Sequence, residues 1–197
     1  TTNSLQRTID DQSLLVFAQN FDGNFPEISP VGTISGGGIV RKTGTGTVTL
    51  LQANSYTGGT QINGGAFRIS ADNQIGGLGS TITFNNGTLE TSASFTNSHP
   101  LALTVGSQGF ISPDSGTTLT QSGTISGGGT LVKIGDGIFD LGTTANTFTG
   151  GTIIRDGILE IDQASNLNGT GQITLDGGTL HSTATFTQTN AVAVNES

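Results

Sequence analysis

Cysteine, tryptophan and methionine are absent from this 197-residue chain, and tyrosine occurs once. Without cysteine no disulfide can hold the fold together, so an extracellular form must be stabilised by its own hydrogen bonds and packing. The same absence suits a chain that crosses a secretion pore unfolded, because no cross-linked loop can obstruct its passage.

Positive charge is also scarce. Six Lys and Arg residues stand against 14 Asp and Glu, which gives a formal net charge of −8. A nucleic-acid-binding surface needs clustered basic residues, and an anionic membrane surface attracts the same residue types. We therefore predict no nucleic-acid partner and no association with an anionic membrane.

Long apolar runs are missing as well. No stretch approaches the roughly 20 apolar residues of a membrane-spanning helix. The first residues, TTNSLQRTIDDQ, lack the basic and apolar regions of a signal peptide. We expect a segment that does not insert into a membrane and that is a mature piece or an excised part of a longer protein.

What the chain does have is an internal repeat. The letters GTISGGG occupy residues 32–38 and return at 123–129, 91 residues later. Aligning residues 32–106 with 123–197 leaves about 30 of 75 positions identical. A repeat of this kind indicates stacked structural units. We divide the chain into an N-terminal partial repeat or capping turn (1–31), a first block (32–122) and a second, truncated block (123–197).

The substitutions between the two blocks separate inside from outside. Apolar positions stay apolar, as where Phe67 aligns with Leu159. Neighbouring positions change in polarity or charge between the blocks, as where Arg68 aligns with Glu160. We interpret the changing positions as solvent-facing residues whose charge sign has no role.

Short strands are the predicted secondary structure, and no stretch predicts a helix. Gly and Asn clusters such as SGGG, TGGT and NNG separate the strands and supply the positive φ angles of tight turns. Alternation of apolar and polar residues predicts strands with one buried side. The alternating runs are 47–50, 66–70, 81–84, 101–105, 131–134, 138–141, 158–161 and 172–175.

Two all-β architectures use such strands, an antiparallel sandwich and a parallel β-helix. A sandwich has no reason to repeat after 91 residues, whereas a β-helix can place several turns in one repeat. We predict a parallel β-helix of about 20 to 23 residues per turn, with about nine turns and a length of roughly 40 Å. The predicted interior contains Val48, Leu50, Ile62, Phe67, Ile69, Ile82, Phe84, Leu89 and their partners one block later.

A spaced motif occurs once in each block: a Lys, a G-x-G and the box N-[ST]-[YF]-T-G-G-T. It resembles the passenger-associated transport repeat of bacterial autotransporters. The resemblance implies a right-handed β-helix, secreted across the outer membrane of a Gram-negative bacterium through a C-terminal barrel, in which the repeats assist secretion and folding. The motif residues are Lys42, Gly44, Gly46, Asn54, Tyr56, Gly58 and Gly59, and Lys133, Gly135, Gly137, Asn146, Phe148, Gly150 and Gly151.

These motif residues allow both a structural and a binding interpretation. We expect each Asn to stack or to adopt a left-handed turn, with ligand binding as the alternative. We expect Tyr56 and Phe148 to pack at a corner, the alternative being a platform for sugar. Lys42 and Lys133 are expected to bury their stems and leave the ammonium groups outside, where phosphate or polysaccharide could contact them.

An enzyme is the main rival function, because β-helices host polysaccharide lyases and hydrolases that need paired carboxylates. The candidates are Asp136, Asp140, Glu160 and Asp162, but three of them align with Thr or Ser in the first block. We therefore predict no catalytic site.

Metal and nucleophile chemistry have little support in the sequence. His99 and His181 are expected at the surface, and Ser80 replaces the ligand Asp of a calcium-binding nonapeptide. The run from Asp22 to Asn24 is at best a weak calcium turn. No Ser-His-Asp arrangement is evident, so we predict no metal and no cofactor.

Structure and interaction remain as the predicted role. We expect a non-catalytic extracellular segment, a rigid stalk that supports secretion, adhesion or surface scaffolding. The alternatives are a subunit of a self-assembling fibre or sheath and, less favoured, a polysaccharide-active enzyme. Ice binding is disfavoured, because the Thr-x-Thr pairs are not spaced by one turn. Expected partners are neighbouring turns of the parent chain, end-to-end copies, and a cell-surface or polysaccharide ligand.

Overall fold

The computed structural model describes residues 9–10, 13–18, 20, 33–167 and 171–195, which form a parallel β-solenoid. The predicted capping turn over residues 1–31 lies largely outside the described residues, and so does the run from Asp22 to Asn24. The strands, in chain order, are β1 (Ile9–Asp10), β2 (Leu14–Ala18), β3 (Ile34–Ser35), β4 (Ile39–Thr43), β5 (Thr47–Thr49), β6 (Thr60–Ile62), β7 (Ala66–Ile69), β8 (Ile82–Phe84), β9 (Gly87–Thr91), β10 (Phe95–Asn97), β11 (Leu101–Leu103), β12 (Gln108–Pro113), β13 (Thr118–Gln121), β14 (Ile125–Gly127), β15 (Thr130–Lys133), β16 (Ile138–Asp140), β17 (Thr152–Ile154), β18 (Ile158–Ile161), β19 (Ile173–Leu175), β20 (Thr179–Ser182) and β21 (Val192–Val194).

Three parallel sheets form the long faces of the solenoid. The six-stranded face stacks β2, β4, β6, β8, β11 and β14, and the five-stranded face stacks β10, β13, β16, β18 and β20. The eight-stranded face stacks β5, β7, β9, β12, β15, β17, β19 and β21. A separate pair, β1 and β3, completes the sheets of the described residues. The predicted parallel all-β solenoid is therefore confirmed.

The eight-stranded face also corrects the number of turns. Its strands correspond to about eight turns, not nine. Ladder partners one turn apart are separated by 19 residues at Ile82 and Leu101 but by 25 residues at Leu15 and Val40. The predicted range of about 20 to 23 was too narrow, because loops of different length leave the core at the corners while the strands keep their register.

One block of the repeat winds more than a whole number of turns. Ladder pairing leads from Lys42 through Ile62, Phe84 and Leu103 to Gly127 in four turns, and Lys133 lies six residues farther along the chain. Equivalent strands of the two blocks consequently occupy different faces, β4 on the six-stranded face and β15 on the eight-stranded face. The second motif is rotated by one face relative to the first.

The core is a continuous column of apolar side chains inside the three sheets. All eight residues that the sequence assigned to the interior of the first block are buried. In the second block Phe139, Ile154 and Leu159 are buried, whereas Leu175 and Leu180 are partly buried. The period-two pattern therefore identified the inward positions correctly.

The corners contain two short 3-10 turns at equivalent positions, Asp72–Gln74 and Ala164–Leu167. In each, a buried amide oxygen accepts two backbone N–H groups of the turn: Gln74 Oε1 from Ser70 and Ala71 at 2.6 and 3.2 Å, and Asn166 Oδ1 from Asp162 and Gln163 at 3.0 and 3.1 Å. These polar residues close the corner where a strand would otherwise continue, because they satisfy donors that no ladder pairs.

Candidate functional site

Lys42 ends inside the solenoid and not at its surface. Its side chain points inward in phase with Val40, and the residue is 0% exposed. Nζ donates hydrogen bonds to the carbonyl oxygens of Thr43 (2.5 Å) and Gly44 (3.2 Å). The expectation of an external ammonium group was wrong, because the G-x-G turn directs carbonyl oxygens inward and gives the cation acceptors within the protein.

Lys133 repeats this arrangement one face away. It is also 0% exposed, and Nζ donates to the carbonyl oxygens of Ile134 (3.0 Å), Gly135 (2.7 Å) and Asp156 (3.2 Å). Burial lowers the pKa of Lys133 to about 8, against the opposing charges of Asp156 and Asp136. Burial also lowers the pKa of Lys42. Both lysines of the chain thus bind backbone of the corner, and neither ammonium group can contact an external phosphate.

Glycines of the next turn complete these lysine sites, and the sequence analysis missed them. Gly65 and Gly157 have φ of 58° and 60°. A Cβ at Gly65 would lie 2.7 Å from Lys42 Nζ, and one at Gly157 would lie 2.8 Å from Lys133 Nζ. The signal in the sequence is the Gly that follows each closing turn, at Gly64-Gly65 and Asp156-Gly157.

The two motif asparagines connect three successive turns. Asn54 Oδ1 accepts the N–H of Ile34 at 2.8 Å, while its Nδ2 donates to the carbonyl oxygen of Gln74 at 2.6 Å. Asn146 makes the same pair of contacts with Ile125 N (2.8 Å) and Asn166 O (2.9 Å). Neither residue has a positive φ angle. The left-handed turn proposed from the sequence is therefore replaced by a hydrogen bond to the turn on each side.

The motif aromatics are core residues. Tyr56 and Phe148 are each 1% exposed. The Tyr56 hydroxyl lies 2.7 Å from Thr60 Oγ1, and burial raises the pKa of the phenol. An aromatic sugar platform needs an exposed ring, so this alternative has no support at these positions.

The glycines of the box allow two turns to touch. A Cβ at Gly58 would collide with the carbonyl oxygen of Gly38, and one at Gly150 with that of Gly129. Gly59 and Gly151 have φ of 90° and 88°. At the G-x-G turns Gly44 and Gly135 have positive φ as well, and the oxygens of Gly46 and Gly137 line the contacts with Gly65 and Gly157.

The acidic candidates do not form one site. Asp140 and Glu160 are ladder partners on the five-stranded face. Asp140 accepts hydrogen bonds from Gly142 N (2.8 Å) and Thr120 Oγ1 (3.2 Å), and Glu160 lies 3.5 Å from His181 Nδ1. Asp136 and Asp162 belong to separate turns. Among the described residues, no three side chains of His, Asp or Glu converge as metal ligands.

A Ser-His-Asp arrangement does occur, contrary to the sequence analysis. His99 Nδ1 lies 3.4 Å from Ser80 Oγ, and Nε2 lies 3.6 Å from Asp72 Oδ1. However, Nδ1 is closer to the carbonyl oxygen of Ser80 (2.8 Å), and Nε2 is closer to that of Asp72 (3.2 Å). A nitrogen that donates to a carbonyl cannot take the serine proton, so the arrangement lacks the base of a triad.

His99 is instead a structural donor. It is 0% exposed, so its predicted surface position was wrong, whereas the His181 side chain is 56% exposed. In the second block Asn190 takes the place of His99. Its Nδ2 donates to the carbonyl oxygens of Leu167 (3.3 Å) and Gly171 (2.5 Å), and Gly171 aligns with Ser80. An imidazole and an amide thus share one equivalent backbone acceptor, at Ser80 and Gly171.

Arg68 corrects the interpretation of the outer positions. It forms ion pairs with Glu90 (3.3 Å) on the next strand and with Asp114 beyond it. Both partners raise the pKa of Arg68, Asp114 the more strongly. The charge sign at this outer position therefore does matter, although Arg68 aligns with Glu160.

Comparison with known proteins identifies the motif. Residues 40–69 and 131–161 match the family described as the passenger-associated-transport-repeat. The chain carries two passenger-associated transport repeats. It is similar to the Adhesin BmaC autotransporter of Brucella suis biovar 1 (strain 1330), with 40% identity over 144 residues, which are 73% of this chain and 4% of that protein. No solved structure matches the chain significantly. The family resemblance drawn from the sequence is confirmed.

Each transport repeat depends on turns outside the matched residues. The matched ranges contain all fourteen motif positions. Ile34, Gln74, Ile125 and Asn166, which bind the motif asparagines, lie outside them. A transport repeat is thus a segment that joins the preceding turn to the following one. Along the described residues, no helix has the length and apolarity that crossing a bilayer requires.

Proposed function

We propose that this chain is a rigid, non-catalytic stalk segment of an autotransporter-type surface protein, supporting secretion, adhesion or surface scaffolding. The observation that carries the proposal is the internal use of both motifs. The Lys, Asn and aromatic side chains of each repeat bind the protein's own turns, so the repeats stabilise stacking and present no binding group outward.

The relative's name supports the placement at the cell surface. That protein is called an autotransporter adhesin, and the present chain spans 4% of its length. We propose that the segment belongs to the outer surface of a Gram-negative bacterium. We also propose a right-handed winding, because crossovers between parallel strands are right-handed in about 98% of cases.

The proposed partners are further turns of solenoid and a surface ligand. β21 pairs with β19 along one edge, and Val192 and Val194 are 54% and 70% exposed. Such a strand can accept another turn, from the parent chain or from a copy placed end to end. A cell-surface or polysaccharide ligand would bind the outer faces, since the motif residues are occupied.

The absence of catalysis is part of the proposal. Its support is that the fold brings together only Asp140 and Glu160 of the four acidic candidates, and that each ring nitrogen of His99 lies nearest a backbone carbonyl oxygen. A panel of acidic and neutral polysaccharides incubated with the chain should show no new reducing ends and no unsaturated products. Turnover that Asp140→Asn or Glu160→Gln abolishes would overturn this part.

Surface display tests the stalk directly. The chain is inserted between an outer-membrane autotransporter barrel and an epitope tag, and the tag's height above intact cells is measured by atomic force microscopy. We expect display with an added height of about 34 Å, seven strand spacings of about 4.8 Å. A matched insert with Lys42→Asp and Lys133→Asp should fail to extend. A wild-type insert that is displayed without added height would contradict the stalk.

A further inference from the structure

An apolar ladder runs along the outside of the eight-stranded face. Phe110, Val132 and Ile153 are successive ladder partners on β12, β15 and β17. None belongs to the core cluster or packs against it, and yet Val132 is 0% exposed. Its outer neighbours cover it. The outer apolar patch on this face consists of Phe110, Val132, Ile134 and Ile153.

The first transport repeat provides an internal comparison for the patch. At the positions of Val132 and Ile153 it has Arg41 and Gln61, whose side chains share a 2.7 Å hydrogen bond. One outer strand position changes in the opposite sense, from apolar to polar: Ile39 in the first repeat aligns with Thr130 in the second. Three outer positions that are polar in the first repeat become branched and apolar on the eight-stranded face in the second: Arg41 to Val132, Thr43 to Ile134 and Gln61 to Ile153. Two further changes to a branched apolar residue, Thr47 to Ile138 and Ala66 to Ile158, lie on the five-stranded face in the second repeat.

A column of charges brackets the patch. Beside the ladder, the outer positions of six successive strands follow the register of the sheet, extended by one residue beyond β15, β17 and β19. They read basic, acidic, neutral, neutral, basic, acidic. The residues are Arg68, Glu90, Ser112, Ile134, Arg155 and Asp176. Arg155 and Asp176 pair at 3.5 Å, as Arg68 and Glu90 do at 3.3 Å.

This column is complementary to its own reverse. A two-fold axis parallel to the strands and lying between β12 and β15 reverses the strand order and keeps the column in place. It sets Arg68 opposite Asp176, Glu90 opposite Arg155 and Ser112 opposite Ile134, and it sets Phe110 opposite Val132. An isologous interface requires such self-complementarity.

We propose that the eight-stranded face pairs with the same face of a second copy, in antiparallel orientation, through the outer apolar patch. A second copy fits better than another occupant because every charge of the column meets its opposite. On a chain of net charge −8 this is a surface where two copies can approach. The pairing is independent of the stalk function.

The contact area sets the strength of the pair. Seven strand spacings of about 4.8 Å and a width of about 10 Å give roughly 340 Å² for each copy, below the roughly 800 Å² of a stable interface. Asp114 and Asp136 would also approach each other at the rim, although Asp114 is already paired with Arg68. We therefore expect a weak dimer that forms in the micromolar to millimolar range.

The first experiment replaces the patch with the matching residues of the other repeat. Sedimentation velocity of the 197-residue chain over that range should show reversible dimers. Val132→Arg with Ile153→Gln, which copies the Arg41–Gln61 pair, should weaken dimerisation at least about tenfold while the thermal melt stays cooperative. Arg41→Val with Gln61→Ile is the matched control and should not weaken it.

The second experiment tests the charge register. Glu90→Arg and Arg155→Glu should each weaken self-association, since like charges then meet twice in every pair. An equimolar mixture of the two variants should restore a heterodimer, because opposite charges meet again.

Three results would overturn the pairing. They are a wild type that stays monomeric, a patch variant that dimerises like the wild type, and a mixture no stronger than its components. A monomeric wild type that binds phosphatidylcholine vesicles or a soluble polysaccharide through Val132 and Ile153 would assign the face to that occupant instead.

Discussion

At the scale of single residues, Lys133 shows how the solenoid accommodates a buried cation. Its three hydrogen-bond acceptors are carbonyl oxygens from two successive turns. An ammonium group has three donors, so this set satisfies all of them. A hydropathy scale predicts that lysine is exposed, because it contains no information on a glycine turn that points carbonyl oxygens inward. The buried location of the two lysines therefore could not be predicted from the sequence, although their equivalence in the two repeats could.

The buried lysine predicts a rise of stability with pH. Burial lowers the pKa of Lys133 from 10.5 to about 8, so between these values the unfolded chain binds more protons than the folded one. Stability must then rise with pH in this window, by at most about 3 kcal/mol. At pH values below the window, the full cost of burying the charge is still present. Urea midpoints at increasing pH measure the rise.

The upper pH limit of this test is set by Tyr56, and its controls are two lysine variants. Above about pH 10 the raised pKa of Tyr56 acts in the opposite direction, because the unfolded phenol ionises first. Lys133→Met should remove most of the rise, and Lys42→Met should remove the remainder. An unchanged slope in the double variant would show that the lysines are not its source.

The close packing around Gly157 predicts a steric effect that a control variant at Gly106 can isolate. Gly157→Ala adds a left-handed alanine, which costs about 1–2 kcal/mol, and a collision with the carbonyl oxygens of Gly135 and Gly137 and with Lys133 Nζ, which costs about 1–3 kcal/mol more. Gly106 has φ of 74° and nothing within 4 Å of its Cβ position. Gly106→Ala should therefore lose only the first part. Equal losses in chemical denaturation would refute the close packing of backbone and Lys133 around Gly157.

At the scale of elements, the ladder columns decide which substitutions matter. Phe84 stacks between Ile62 and Leu103 and is 0% exposed. Phe84→Asp should cost several kcal/mol, because an unpaired charge enters the core. Arg68→Ala removes surface ion pairs and should cost about 1 kcal/mol or less. Thermal melts of both variants test the assignment, and similar losses would contradict it.

Strand positions were largely predictable, and their distribution over the faces was not. The runs at 47–50, 66–70 and 158–161 correspond to β5, β7 and β18, because alternation records which side chains point inward. The rotation of the second repeat by one face depends on six residues left over after four turns, which no local pattern records. Among the four acidic candidates named from the sequence, the ladder brings together Asp140 and Glu160, whereas Ser80, His99 and Asp72 meet only through the fold.

At the scale of the whole molecule, we expect the free energy of unfolding to be a sum of similar contributions from successive turns. Each inner strand of the eight-stranded face contacts the strand before and after it, as in other repeat proteins whose units interact with their nearest neighbours. The cross-turn bonds of Asn54, Asn146, His99 and Asn190 follow the same rule. A solenoid of this kind should tolerate the loss of one entire turn but not of part of one.

Deletion of residues 89–110 tests this rule. Leu89 and Ile111 are ladder partners, so joining Thr88 to Ile111 removes one turn and keeps the inward and outward order. We expect a folded chain about 4.8 Å shorter by small-angle scattering, with a lower melting temperature because the contacts of Asn97 and His99 are lost. Deletion of residues 89–99 is the control. It leaves Thr88 beside Pro100, which moves the chain to a different face and leaves β12 without its ladder partner, so it should abolish cooperative unfolding. Cooperative unfolding of both deletions would mean that the ladder register does not hold the fold, and failure of both would mean that the turns are not interchangeable units.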